Sequence, residues 1–382
     1  MAKRRRKRSI RRIPRRVGVP VIGALSLVLA GLVTLAALAA TRDAPAERAA
    51  GDRTVAGSGL LPVLSSALTS PSPSPKPSPK PSPTHPKVIP LYDPALHNCG
   101  PDPHICGYPD ATNSGPPAGI SLRSVPGDVS SGPGWSTDGD GNVDVTGEGA
   151  VFSGYSVHGS VNVSGSGAVI EDDVISNSGD DTSGDGVNLT GNPSDVTIEH
   201  VTISSPGGAN GAGIFAGIKD INGEAMGTRV LDNNIADAST GIQLYIGLIE
   251  GNYVHDITPS DPSSHLNGTT SNGSTTPLTI EHNTVFNPNG QTDAISLFED
   301  FGVEANVLIT NNLVAGGGYA VYGGQNAGGP QAYNIRITDN RFSTIYYPQC
   351  GAFGYITAFD DSAPGNDWSG NIWDTTGALV SF

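Results

Sequence analysis

The residues best equipped for chemistry cluster between His255 and Asp300. His265 opens a His265-Leu-Asn267-Gly run inside the stretch from His255 to Pro277, and Asp293, Glu299 and Asp300 follow. Two carboxyl groups held on one face can serve a glycosidase, one as acid and one as base or nucleophile. A histidine beside them can instead take the proton next to a uronate carboxyl, which is lyase chemistry. His265, Asp293, Glu299 and Asp300 are therefore the candidate catalytic residues. A polar loop with solvated acids is the plain alternative. Around them, Gln243, Tyr245, Asn267, Phe298 and Tyr322 are candidates for substrate contact. Amides hydrogen-bond hydroxyls, and aromatic rings stack on sugar rings.

Metal-type ligands are sparser. Asp180, Asp181 and Asp185 form an acidic loop that is the candidate calcium site, and no other cofactor is implied. Asp138-Gly-Asp140-Gly-Asn142-Val-Asp144 alternates oxygen ligands in the manner of a calcium loop. Its sixth position is Val143 and its twelfth is Gly149, so a β-turn leading into a strand is the better reading. Cys99 and Cys106 lie close in sequence among Pro and Gly, and a small disulfide loop is expected there. Cys350 is then left over, with a pairing of either cysteine to Cys350 as the alternative.

A repeating chain must position these groups. Eight segments align: from Ile170, Ile198, Leu231, Ile249, Ile280, Ile309, Ile337 and Trp368. Each starts with a large apolar residue, and six carry Asn at the fourth place: Asn234, Asn252, Asn283, Asn312, Asn340 and Asn371. The intervals between fourth places run 28, 33, 18, 31, 29, 28 and 31 residues, as in a solenoid whose length changes are confined to turns. Short alternating runs such as Val196-Thr-Ile-Glu put alternate side chains inside. A second apolar segment follows the central repeats, at Gly186, Gly213, Gly241, Ala294 and Ala320. If alternation holds along it, Asn188, Gln243, Tyr245, Ser296, Phe298 and Tyr322 face outward. The stacked Asn residues are expected to be structural, satisfying backbone groups at tight turns.

Charge divides the chain. Residues 1–87 carry a net +13 and the remainder −28. Ten Lys/Arg between Lys3 and Arg16 precede an uncharged stretch from Val17 to Ala40. At ~1.5 Å per residue that stretch crosses a bilayer core of ~30 Å, and its basic flank places residues 1–16 in the cytoplasm. Residues 17–40 are thus a single-pass anchor or, with Ala37-Leu-Ala39 as a cleavage site, a removed signal peptide. Residues 41–87 read as a disordered linker ending in PSPSPKPSPKPSPTHPK. That run is a polyproline spacer reaching about 50 Å. Residues 88–382, with an N-terminal cap, form the folded domain. Its five basic residues against a net −28 argue against nucleic acid and disfavour polyanionic glycans unless calcium is bound.

The repeats, with Pro109-Asp-Ala-Thr-Asn-Ser-Gly-Pro-Pro-Ala-Gly before them and Asn366-Asp-Trp-Ser-Gly-Asn-Ile-Trp-Asp at the end, resemble the right-handed parallel β-helix proteins. That is the pectate-lyase-like superfamily, and more narrowly its uncharacterised secreted bacterial members. The resemblance covers about residues 109–377. It implies an all-β right-handed parallel β-helix associated with polysaccharide, as lyase, hydrolase, epimerase or binder. Coils of this kind tend to carry His-x-Asp-Gly where this chain has Asn267, so a possible base is missing. The polygalacturonase motifs are absent or out of order. The expectation is a monomeric, membrane-anchored or secreted extracellular protein that binds polysaccharide, with lyase- or glycosidase-like cleavage as the further step. A non-catalytic structural or adhesive surface module is the alternative.

Overall fold

The computed structural model describes residues 97–177, 184–205 and 213–382. The expected anchor, the Pro-rich linker and the candidate ligands Asp180 and Asp181 lie outside the described residues. Among the described residues no helix is long and apolar enough to cross a membrane.

The chain is an all-β parallel solenoid of about eight turns. Each coil visits three parallel sheets in turn. The described first sheet has eleven strands, the second nine and the third ten. One coil shows the plan: Asn267–Ser271 in the first sheet, Leu278–Glu281 in the second, Thr284–Asn287 in the third, then Asp293–Leu297 back in the first. Inward residues stack in register. Ile170, Ile198, Val230, Ile249, Ile280, Ile309 and Ile337 form one column, all fully buried.

The turn from second to third sheet is built by two residue columns. The first needs a left-handed backbone. Asp172, His200, Asp232, His282, Asn311 and Asp339 hold φ between 51° and 58°, and Gly251 and Gly370 share the position. Asp and Asn tolerate this region, and Gly has no penalty there. The second column is the asparagine ladder. Asn233, Asn252, Asn283, Asn312, Asn340 and Asn371 are all buried. Each Nδ2 donates to the Oδ1 of the next, at 2.9, 2.9, 3.0, 3.0 and 3.1 Å. Each Nδ2 also donates to a carbonyl of the preceding coil, as Asn283 does to Ile249 at 3.0 Å.

The ladder corrects one expectation. Its member is Asn233, not Asn234, because Val230 rather than Leu231 pairs with Ile198 and Ile249. Asn234 lies one residue along, with its Oδ1 2.9 Å from His255 Nε2. Asp173 fills the ladder place two coils earlier and accepts the Tyr155 amide at 2.7 Å. Burial pushes its carboxyl well above the ordinary range.

Both ends of the core are capped. At the N-terminal end, strands Ser131–Gly132, Trp135–Thr137 and Val143–Val145 pair antiparallel, and Trp135 packs edge-on against Phe152 and Tyr155. Asp138, in the turn between the last two, accepts the amides of Asp140 and Asn142 at 2.8 and 2.9 Å. This is a turn whose carboxylate is committed to its own backbone. At the other end Trp368, Phe359, Tyr355 and Phe382 gather over the last coil.

Residues 97–122 run back along the outer face of the third sheet, opposite to the advance of the coils. Cys99 and Gly100 amides donate to the Asp374 carboxylate in the last coil, at 3.0 and 2.9 Å. Tyr108 stacks on His282 and donates to Asn311. Gly115 donates to the Asp232 carbonyl, and Arg123 opens the first third-sheet strand beside Tyr155. Cys99 and Cys106 are joined in a disulfide within this strap. Cys350 is free and buried, its thiol pushed up to about 12 by loss of hydration. Under the strap Arg341 and Asp374 form a buried ion pair at 3.6 Å.

Candidate functional site

The first sheet positions the site through a break in its alternation. Gly217, Gly241 and Gly268 are stacked, and a β-carbon on any of them would collide with Ile235, Val254 or Val285 in the core. Ala294 and Ala320 continue that column, fully buried. The next residue of each strand, from Ile218 and Ile242 through Thr269 and Ile295 to Val321, is also buried. Two consecutive inward positions leave the residues on either side facing out. One outward column is Thr240, Asn267, Asp293 and Tyr319. The other is Lys219, Gln243, Thr270, Ser296 and Tyr322.

A cavity of about 700 Å³ opens over this bend. Its floor is Thr240, Gln243, Asn267 and Thr270; Phe215, Phe298 and Tyr322 supply aromatic walls; Asp261, His265 and Asp300 stand around it. Asn267 Nδ2 donates to Thr240 Oγ1 at 3.3 Å, and Gln243 Nε2 to the Tyr245 hydroxyl at 2.8 Å. Phe298 and Tyr322 are ring neighbours at 5.3 Å, and the aromatic row runs on through Tyr319 to Phe353.

The structure brings six of the sequence-selected residues to this cavity: His265, Asp300, Gln243, Asn267, Phe298 and Tyr322. Others it places elsewhere. Tyr245 is buried beside the floor, its hydroxyl taken by Gln243 and Asn272. Asp293 is fully buried beside Asn267 in the outward column and does not line the cavity. Glu299 turns away, its Oε2 accepting the Asn326 amide at 3.3 Å. His255 lies on the third sheet, stacked on Tyr253 and bonded to Asp256 and Asn234. Asp185 is buried with one carboxylate oxygen on the Ala216 amide at 3.0 Å.

In sequence the stretch 255–277 interrupts the aligned segments and reads as an inserted loop, but in the structure it differs. It contains a regular first-sheet strand, Asn267–Ser271, whose inward residue is Thr269. Asn-Gly-Thr-Thr-Ser has no apolar residue, so no hydrophobic pattern marks it as a strand.

Two acids have displaced titrations. Burial pushes Asp293 well above the carboxylate range, and the nearby Ser296 hydroxyl offsets this only in part. Glu304, which sequence reasoning missed, is raised to about 7 by burial. It accepts Ser271 Oγ and the Gly273 amide, both at 2.6 Å, and Glu299 adds a like charge nearby. Nothing in the sequence separates Glu304 from the many solvated acids of this domain.

Asp102, His104 and Asp110 in the strap form a further group with metal-ligand spacing. The Asp110 carboxylate already accepts from Thr112 and from the His104 backbone and ring. Asp102 Oδ1 lies 2.8 Å from the same His104 ring nitrogen.

Comparison with family models, with curated proteins and with solved structures finds no match to this chain. The reading of the site rests on its own geometry.

Proposed function

We propose that the solenoid binds a polysaccharide of low charge in the first-sheet cavity, and that the chain holds it outside the cell as a right-handed β-helix of the pectate-lyase-like kind. The lining carries the proposal. Amides and hydroxyls of Gln243, Asn267, Thr240 and Thr270 lie between the rings of Phe215, Phe298 and Tyr322. This mixture suits a sugar, with apolar ring faces and a belt of hydroxyls. The volume falls in the range of ligand sites, ~300–1,000 Å³. The acidic domain disfavours uronate polymers without a bridging cation.

His265 and Asp300 are the groups at the cavity that would carry acid–base cleavage. With Asp293 and Glu299 lying elsewhere, binding is the better-supported half of the reading. The basic N-terminus and the apolar stretch 17–40 support attachment to, or export across, a membrane. A glycan array combined with a reducing-sugar assay, with and without Ca²⁺, tests the proposal. Binding to neutral or amino-sugar polymers, weakened about tenfold by Phe298→Ala, is expected. Release of reducing ends abolished by Asp300→Asn makes the protein an enzyme, and binding without release makes it a binding module. No binding to neutral, amino or uronic glycans under either condition sinks the proposal.

A further inference from the structure

At the edge of the cavity floor are buried atoms left without partners. Asn267 and Asp293 pair directly on neighbouring strands. Neither carboxyl oxygen of Asp293, nor Oδ1 of Asn267, meets a hydrogen-bond partner among the described residues. The adjacent Ser296 hydroxyl gives its proton to Thr270 Oγ1 at 3.0 Å. Ser296 is the hydroxyl donor beside Asp293, and with its proton given to Thr270 it supports the carboxyl only in part. Acceptors left side by side in this way are costly, at ~1–3 kcal/mol for each orphaned group. An ionised carboxylate in that place costs more. The two residues are in register on neighbouring strands, as the ladder amides are on neighbouring coils, where they bond at 2.9–3.1 Å. A single proton resolves the arrangement.

We propose that Asp293 is a neutral carboxylic acid that donates its hydrogen to Asn267 Oδ1, and so acts as a positioning residue for the cavity floor. With Oδ1 engaged by Asp293 on one neighbouring strand, Nδ2 is turned towards Thr240 Oγ1 on the other, as observed at 3.3 Å. Thr240 then accepts from Asn267 and keeps its own proton for the cavity. The floor therefore presents donors, which suit the ring and bridging oxygens of a sugar chain. This last consequence rests on the cavity being the glycan site; the protonation and the amide orientation do not. The titratable groups facing Asp293 are the phenols of Tyr319 and Tyr322 on the next strand. Loss of hydration favours the neutral acid.

The test uses the full chain without ligand, so a failure of glycan binding leaves it intact. Infrared difference spectra at pH 7 should show a carboxylic-acid carbonyl band that Asp293→Asn removes and Glu304→Gln leaves in place. In ¹⁵N spectra the Asn267 side-chain amide should be shifted and slowly exchanging in the wild type. Asp293→Asn supplies an amide donor and should keep that signature, whereas Asp293→Ala should lose it while the fold persists by circular dichroism. Absence of the band overturns the proposal, since it means an ionised Asp293 with the Asn267 amide turned over to donate to it. An Asn267 signal unchanged in Asp293→Ala overturns the positioning role.

Discussion

The asparagine ladder and the cavity floor are both columns of buried polar side chains on stacked strands, yet they are finished differently. Along the ladder, Nδ2 of Asn252, Asn283 and Asn312 bonds a neighbouring Oδ1 and a carbonyl of the coil before. At the floor, Asn267 Oδ1 and both oxygens of its neighbour Asp293 are buried without hydrogen-bond partners, as is Thr269 Oγ1 on the inward side of the Asn267 strand. Buried polar groups kept for stability are normally saturated. Orphaned ones persist where something other than folding keeps them. The contrast is one of density, since single orphaned atoms also occur at Asp173, Asn188, Thr284 and Ser343.

The comparison can be broken or sharpened in four ways. The largest effect belongs to Asn233→Ala, which strands the Val201 amide and the Ile198 carbonyl and removes one of the two hydrogen bonds to Asn252 Oδ1. A loss of about 4 kcal/mol is expected in urea denaturation. Next is Glu304. Its carboxyl is raised from 4.5 to about 7, so between those values the folded state holds a proton that the unfolded state has released. Its contribution is fully present below pH 4.5 and is lost as pH rises through 7, by about 3 kcal/mol in all. Glu304→Gln should flatten that part of the stability–pH curve, and an unchanged slope counts against the assignment. Thr269→Val removes an orphaned hydroxyl from between Ile242 and Ile295, and should raise stability by about 1 kcal/mol. A loss instead would show that the hydroxyl has a partner. Asn234→Ala is the smallest: it lies outside the ladder and should cost less than about 1 kcal/mol. Equal losses at 233 and 234 would undo the register.

Much of this architecture is legible in the residues. The stacked Asn residues and the alternating runs mark coils because a solenoid repeats one environment. The slip at 230–234 has a local cause. Val230-Leu231 and Asn233-Asn234 are doubled, so two alignments one residue apart satisfy the same pattern, and only the amide bonding separates them. Asp293 could not be placed because simple alternation fails where Ala294 and Ile295 both point inward. The strand Asn267–Ser271 has no apolar residue to announce it. The Arg341–Asp374 pair left a faint mark, a cation at a strand position in a domain poor in cations, but its partner lies in another coil.

The path of the strap has a mechanical consequence. The chain enters the described domain beside Gly377 and Asp374, in the last coil, and reaches the first coil only at Arg123. A pull on the preceding segment along the solenoid axis would load the strap in shear, spreading force over Tyr108, Gly115 and their partners together. A sideways pull would peel it, one contact at a time, starting at Asp374. The disulfide from Cys99 to Cys106 lies at the point where peeling would begin. Any load carried by the preceding segment would thus reach the final coil first and the first coil last.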